Sequence, residues 1–296
     1  MVIINQLLNE TFIRQRSEEL RIPFENLLAA AVLEEIILKI AESDYAGNFW
    51  MKNSVRMNLE NYRRKVDLNL YFMMVSTKQF QYKKTEVSRV FSELFRNYKK
   101  NAVHWNYQVW TDYEFIYIDV TAAIASVRVP VKIKLQPVLQ DRLNAYEKEM
   151  RLFINNSKKV LVKCYPSEYT VSEKFLEIIV KLELLSDLSC YMDIYDILKK
   201  EALSGRKVCE ILNEECGKKN IKIEEHRFEL LMAYRTSSYM ERKWKSFLRH
   251  EKKKEPLWKD VIDLFEQFFA VIWKNMCQNI IYLGDWMPEI GRYIDC

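Results

Sequence analysis

The sequence predicts an α+β fold, with a strand-rich first domain behind a helical lead-in, residues 1–166, and a helical second domain, residues 167–296. Three observations predict it. Several runs between Val66 and Tyr165 alternate apolar and polar residues with period 2, the pattern of half-buried strands. From Thr170 onward the apolar period becomes 3.6, the signature of helices. Glycine (5) and proline (6) are scarce in the 296 residues, which favours helix and short connections. The switch of period beside Pro166 marks the boundary between the domains.

Residues 3–21 and 24–43 read as two helices separated at Pro23, because proline lacks a backbone donor and restricts the residue before it. The second, FENLLAAAVLEEIILKIAESD, is apolar on more than one side and is expected to be buried. A strand follows through Val66, Leu68 and Leu70, which alternate with Asp67, Asn69 and Tyr71. A helix of about 15 residues starts at Thr85, with Val87, Val90, Phe91, Leu94 and Phe95 on one face. Further strands are expected at Val103–Trp110, Glu114–Val120, Arg128–Leu135 and Val160–Tyr165. The second domain should contain helices at 170–186, 189–201, 206–218, 224–235, 237–252 and 257–281.

Composition narrows the function classes. Hydrophobic residues at 49% and charged residues at 29% describe a globular chain rather than a disordered one. The net charge of +5 is compatible with a phosphate-bearing partner without requiring one. No apolar run reaches the roughly 18–20 residues that span a bilayer. The start, MVIINQLLNE, lacks the basic opening of a signal peptide, so no membrane partner and a cytoplasmic location are expected. The six cysteines form no CxxC pair and no zinc spacing with the three histidines, which points to reduced core thiols. The basic run 242–254, RKWKSFLRHEKKK, interleaves Trp244 and Phe247. It reads either as a solvated helix face with two core aromatics or as a track for a nucleic-acid backbone.

The stretch Tyr45–Phe72 carries the chemistry. It reads as an extended segment, a tight turn at Lys52-Asn53-Ser54, a short helix, a basic loop with Arg63 and Arg64, and the strand bearing Asp67 and Asn69. Alternation puts Asp67 and Asn69 on one strand face. A polar pair beyond a turn able to present backbone N–H groups is the layout of a nucleotide and metal site. One carboxylate and one carboxamide hold a divalent ion less well than two carboxylates.

Four stretches in order resemble the AbiEii/AbiGii nucleotidyltransferase-toxin family of type IV toxin–antitoxin systems. IPFENLLAAAVLEEIILKIAESDYAGNFWMKNSV resembles its lead-in and glycine-rich turn, and YRRKVDLNL its D-x-D element. VLVKCYPSEYTVSEKFLEIIV resembles the passage ending in a Glu-Lys pair, here Glu173-Lys174, and CYMDIYDILKK its K-D-x-x-D-L helix, here Asp193 and Asp196. The resemblance covers about residues 20–215. It implies a DNA polymerase-beta-like mixed sheet with flanking helices, followed by a helical domain. It also implies transfer of a nucleotide from an NTP to RNA, with tRNA among the acceptors, and an antitoxin or defence-complex protein as partner. In that chemistry carboxylates hold two Mg²⁺ ions that activate the attacking hydroxyl and stabilise the leaving pyrophosphate. The resemblance assigns Asp67, Lys174 and Asp193 as catalytic, and Lys52, Asn53, Ser54, Arg63 and Arg64 as nucleotide-binding. Asp67 and Asn69 stand where the metal ligands belong.

The chain departs from the pattern at four positions. Asn53 replaces a turn glycine, Lys65 a hydroxyl residue, and Asn69 the second acid of D-x-D. The third acid aligns with Lys134 in VPVKIKLQP, with Asp119 as a rival on an earlier strand. The lost negative charge disfavours two divalent ions, and Lys134 is expected to pair with Asp67 in their place. Lys174 and Asp193 read either as phosphate contact with a positioning acid or as an inter-helix salt bridge. The chain thus reads as an AbiEii-like protein of phage defence with an eroded metal site and weak or absent transfer. A pseudoenzyme binding RNA, nucleotide or an antitoxin-like protein is the alternative, and a nucleotide-free structural module a third reading.

Overall fold

The computed structural model describes residues 10–52, 54, 57–78, 80–96, 103–138, 145–154 and 159–294. The chain divides into two compact units, Met1–Tyr165 and Pro166–Cys296.

The first unit opens with α1 (Glu10–Leu20) and α2 (Phe24–Ala41), separated where Arg21 takes a positive φ of 52° ahead of Pro23. Helix α2 is buried nearly throughout, from Leu27 to Leu38, as expected of a sequence apolar on several sides. Strand β1 (Phe49–Met51), helix α3 (Leu59–Arg64), strand β2 (Asn69–Met74) and helix α4 (Lys84–Leu94) follow. The unit ends with β3 (Val103–Asp112), β4 (Phe115–Ile124), β5 (Val127–Pro137), β6 (Tyr146–Arg151) and β7 (Lys159–Cys164).

Among the described residues these strands form one seven-stranded mixed sheet in the order β3-β4-β5-β2-β1-β7-β6. The pairs β2–β5 and β1–β7 are parallel and the others antiparallel. Alternation sorts the sheet into two faces. Leu70, Phe72, Ile116, Ile118, Val120, Val131, Ile133 and Leu135 are buried and join α2 and α4 in one core. Asn69, Tyr71, Tyr117, Asp119, Lys132 and Lys134 point the other way, onto a face left at least partly open. This α+β architecture agrees with the expected fold class.

The second unit packs α5 (Ser167–Lys181), α6 (Ser189–Lys200), α7 (Gly205–Lys218), α8 (Glu225–Ala233) and α9 (Ser238–His250) with α10 (Trp258–Cys277). Buried aromatics dominate its core; Phe175 stacks on Phe269 with ring centroids 3.7 Å apart. A small antiparallel sheet of β8 (Leu203–Ser204), β9 (Asp285–Met287) and β10 (Arg292–Ile294) lies outside the sequence expectation. It is held by Trp286, fully buried, whose indole N–H donates to the Leu198 carbonyl at 2.8 Å. No helix among the described residues is long and apolar enough to cross a membrane.

Candidate functional site on the open face of the sheet

The strand that carries the expected acid begins two residues late. β2 starts at Asn69, and Asp67 lies in the extended lead-in to it. Asp67 is tied to its neighbour: its Oδ1 accepts from the Asn69 backbone N–H at 3.1 Å and from the Asn69 carboxamide at 2.6 Å. The carboxamide therefore serves the carboxylate rather than standing beside it as a second outward ligand.

The pairing of β2 with β5 sets Lys134 apart from Asp67. In the parallel register Asn69 lies opposite Lys132, and Tyr71 opposite Lys134. Lys134 is thus four residues along the sheet from the level of Asp67, about 13 Å at the rise of a strand. The expected ion pair is not formed. The Lys134 ammonium lies over the Phe115 ring, 3.7 Å from its centroid, a cation–π contact. Burial lowers the Lys134 pKa from its usual value, the positive charge of Lys52 adds to the effect, and Glu114 opposes it. The lysine at the level of Asn69 is Lys132, whose ammonium is 5.8 Å from the Trp110 ring centroid.

Asp119, the rival acid, does share that level. It is opposite Lys132 in the β4–β5 register, so Asp119, Lys132 and Asn69 form one row across three strands. Two strand spacings, about 10 Å, separate the two ends of the row, too far for Asp119 and the Asp67–Asn69 pair to grip one ion. The Asp119 carboxylate is already engaged, accepting from the Trp110 indole N–H at 2.7 Å.

The basic elements surround this row. The Lys52 backbone N–H donates to the Tyr71 carbonyl at 2.8 Å, extending β1, and its ammonium is 5.0 Å from the Tyr165 ring centroid. Lys52 and Lys134 therefore flank Tyr71 from its two neighbouring strands. Ser54 opens the turn that follows, its carbonyl accepting from the Met57 N–H at 3.1 Å, while Asn53 lies outside the described residues. Arg63 and Arg64 end α3. Arg64 bridges Glu60 at 3.1 Å and Arg63 is exposed. That helix end is anchored by the Asn26 carboxamide, which donates to the Tyr62 carbonyl at 2.9 Å and the Arg64 carbonyl at 3.3 Å.

Lys174 and Asp193 belong to the second unit, where they form an ion pair of 2.9 Å between α5 and α6, with side chains only 22% and 10% exposed. Asp196 bonds Lys200 at 3.4 Å, one turn along α6. In α9 the interleaved aromatics are structural: Trp244 is buried and its indole donates to the Pro256 carbonyl at 2.8 Å. The half-buried Phe247 packs against it, ring centroids 5.1 Å apart, which favours the reading of the run as a helix face with structural aromatics. The buried thiols are poor nucleophiles, with burial pushing Cys190 up to about 12 and Cys216 up to about 11.

A pair of Mg²⁺ ions calls for several converging carboxylates. The described residues bring one, Asp67, together with Asn69, and set a lysine beside them; this donor set does not fit the ions. Among the described residues no group of three His, Cys, Asp or Glu side chains is placed to hold a metal ion. What sequence reasoning missed was Lys132, which stands in the same alternating run as Lys134. Only the strand pairing distinguishes the two.

No protein-family model and no curated protein sequence matches the chain. Two solved structures from Helicobacter pylori resemble it distantly. One is JHP933, at 10% identity and a TM-score of 0.45, over 86% of this chain and 94% of that one. The other is a protein provisionally described as a nucleotidyltransferase, at 10% identity and a TM-score of 0.46, over 87% of this chain and 99% of that one. Likeness this remote says nothing of the chemistry of either site.

Proposed function

We propose that this chain is a nucleotidyltransferase-type protein of the AbiEii/AbiGii kind whose open sheet face binds the phosphates of an NTP or of RNA, with metal-dependent nucleotide transfer weak or absent. One observation carries the reading: Lys52 and Lys134 stand on the two strands that flank Tyr71, and the positive charge of Lys52 helps to hold the Lys134 pKa below its usual value. A cationic side chain on each strand beside Tyr71 gives this level of the face an affinity for anions, and ammonium groups bind phosphate through charge-assisted hydrogen bonds. Lys132, beside Asn69, keeps the neighbouring level of the face from gathering net negative charge.

In this reading the protein descends from toxins that transfer a nucleotide to RNA in phage defence. It acts in the cytoplasm, with tRNA or another RNA and an antitoxin-like protein as its partners. A neighbouring gene for a small winged-helix protein would support the partner assignment. The binding role is tested by titrating a fluorescent ATP or GTP analogue in excess chelator and again with Mg²⁺. Binding that persists in chelator and weakens about ten-fold in Lys134→Ala, the worth of one charge-assisted hydrogen bond, supports the reading. Binding that requires the metal, or is indifferent to both Lys52→Ala and Lys134→Ala, overturns it.

A further inference from the structure

The β3–β4–β5 meander carries an aromatic and cationic surface that neither Asp67 nor the Asp67–Asn69 turn uses. Trp110 on β3 and Tyr117 on β4 are cross-strand partners whose rings stack 4.3 Å apart at 16°. Among the described residues strand β3 is the edge of the sheet, and no described strand lies beyond Trp110. Among the described residues no second ring stacks on it. The bond from its indole to Asp119 fixes the ring's orientation. Lys132 approaches Trp110, while Lys134 lies against Phe115 and within 5.9 Å of the Tyr117 centroid.

At the tip, Tyr113 is fully exposed and holds a positive φ of 49°, a conformation that glycine adopts freely and a bulky residue pays for in strain. An aromatic kept there, wholly in solvent, contributes nothing to the core. The hairpin behind it is rigid. The Tyr82 hydroxyl accepts from the Ile116 N–H at 3.0 Å and lies 2.8 Å from the carbonyls of Glu114 and Leu135.

We propose that this wing is a stacking platform for single-stranded nucleic acid. Bases stack on the outer face of Trp110 and on Tyr113, and Lys132 and Lys134 meet the phosphates between them. The alternation of ring and ammonium decides the occupant. Across the sheet the register sets Trp110, Tyr117, Lys134 and Tyr71 in one row, rings interrupted by charge. A strand of nucleic acid offers the complementary alternation of flat bases and anionic links. Of the acids nearby, Asp119 accepts from Trp110, while Asp112 and Glu114 flank Tyr113 at the tip, and Glu114 acts on Lys134. The platform's phosphate contact at Lys134 rests on the reading above, whereas its ring contacts at Trp110 and Tyr113 do not.

The test is fluorescence anisotropy of a labelled oligouridylate with the full chain, beside an abasic oligomer of equal length. The oligouridylate should bind more tightly than the abasic chain, and Trp110→Ala should weaken it about ten-fold, the worth of one stacked base. Tyr113→Ala should weaken it as well; that side chain touches no core, so folding is not at issue. Both variants should leave binding of the NTP analogue unchanged. Equal affinity for the abasic chain, or indifference to both variants, overturns the inference. So does Trp110-dependent displacement by polyglutamate, which would assign the wing to an acidic protein. Loss of NTP binding with the oligouridylate result intact would remove the phosphate site and leave the wing standing.

Discussion

Lys132 lies opposite Asn69 in the parallel pairing of β5 with β2 and sends its ammonium across the sheet toward Trp110, so a lysine occupies the strand position where a metal site would need an acid. Lys134, two residues further on, lies opposite Tyr71 and turns its ammonium the other way, over the Phe115 ring on β4. The electrostatics of the open face follow from that two-residue offset.

The offset can be tested by rebuilding the charge. Asn69→Asp combined with Lys132→Asp sets two new carboxylates opposite one another, with Asp67 two residues along the chain. Asn69→Asp combined with Lys134→Asp moves the third two residues further on, about 13 Å from the level of Asp67. Isothermal titration with Mn²⁺ should therefore detect a new site in the first double variant and none in the second. The reverse order of affinities would contradict the register.

Glu34 gives the first unit an unusual pH dependence. It is buried in α2, where its carboxylate accepts the N–H groups of Phe153 and Ile154 at 3.0 Å each. Burial raises its pKa from 4.5 to about 7, against the pull of those two donors. The folded state holds this proton where the unfolded state has released it. The stabilisation is complete below pH 4.5 and fades as pH rises through 7. A shift of this size amounts to roughly 3 kcal/mol at most. Urea unfolding between pH 4.5 and 8 should show the decline, and Glu34→Gln should flatten it.

The pair Lys174–Asp193 is expected to act in folding. Removing one partner strands a largely buried charge, so Lys174→Met or Asp193→Asn should each cost about 3 kcal/mol. Lys174→Met with Asp193→Leu should recover most of that loss, since it leaves no charge unpaired. Thermal unfolding of the three variants checks this. Recovery of stability without recovery of NTP binding would return a phosphate role to Lys174.

The two basic, aromatic surfaces should respond in opposite ways. Trp244 is 1% exposed and bonded through its indole to Pro256, so Trp244→Ala should lower stability by about 3–5 kcal/mol, the usual cost of emptying a large core site. Oligonucleotide affinity of the folded fraction should not change. A loss of affinity matching that of Trp110→Ala would place nucleic acid on α9 as well.

How much of this was legible in the sequence depended on how local the signal was. Strands β4 and β5 alternate strictly, and both were foreseen to within four residues. Strand β1 was foreseen only as an extended segment ahead of the Lys52 turn, because Phe49, Trp50 and Met51 are all buried, which erases alternation. Strand β6, YEKEMR, buries only Met150 and reads as a charged loop. The C-terminal hairpin is too short for any period to register. At the site, Asp67 and Asn69 could be placed on one face from spacing alone. The partner of Asn69 could not, because strand register is set by long-range pairing and a slip of two leaves every side chain on the same face. The Trp110–Tyr117 stack was out of reach for the same reason.

The most direct test is incorporation of labelled nucleotide into tRNA or total RNA by the full chain, with Mg²⁺ and again with Mn²⁺. A face whose two carboxylates, Asp67 and Asp119, are too far apart to share an ion should give no label above background with either ion, while still binding the NTP. Robust incorporation that Asp67→Ala abolishes would contradict it.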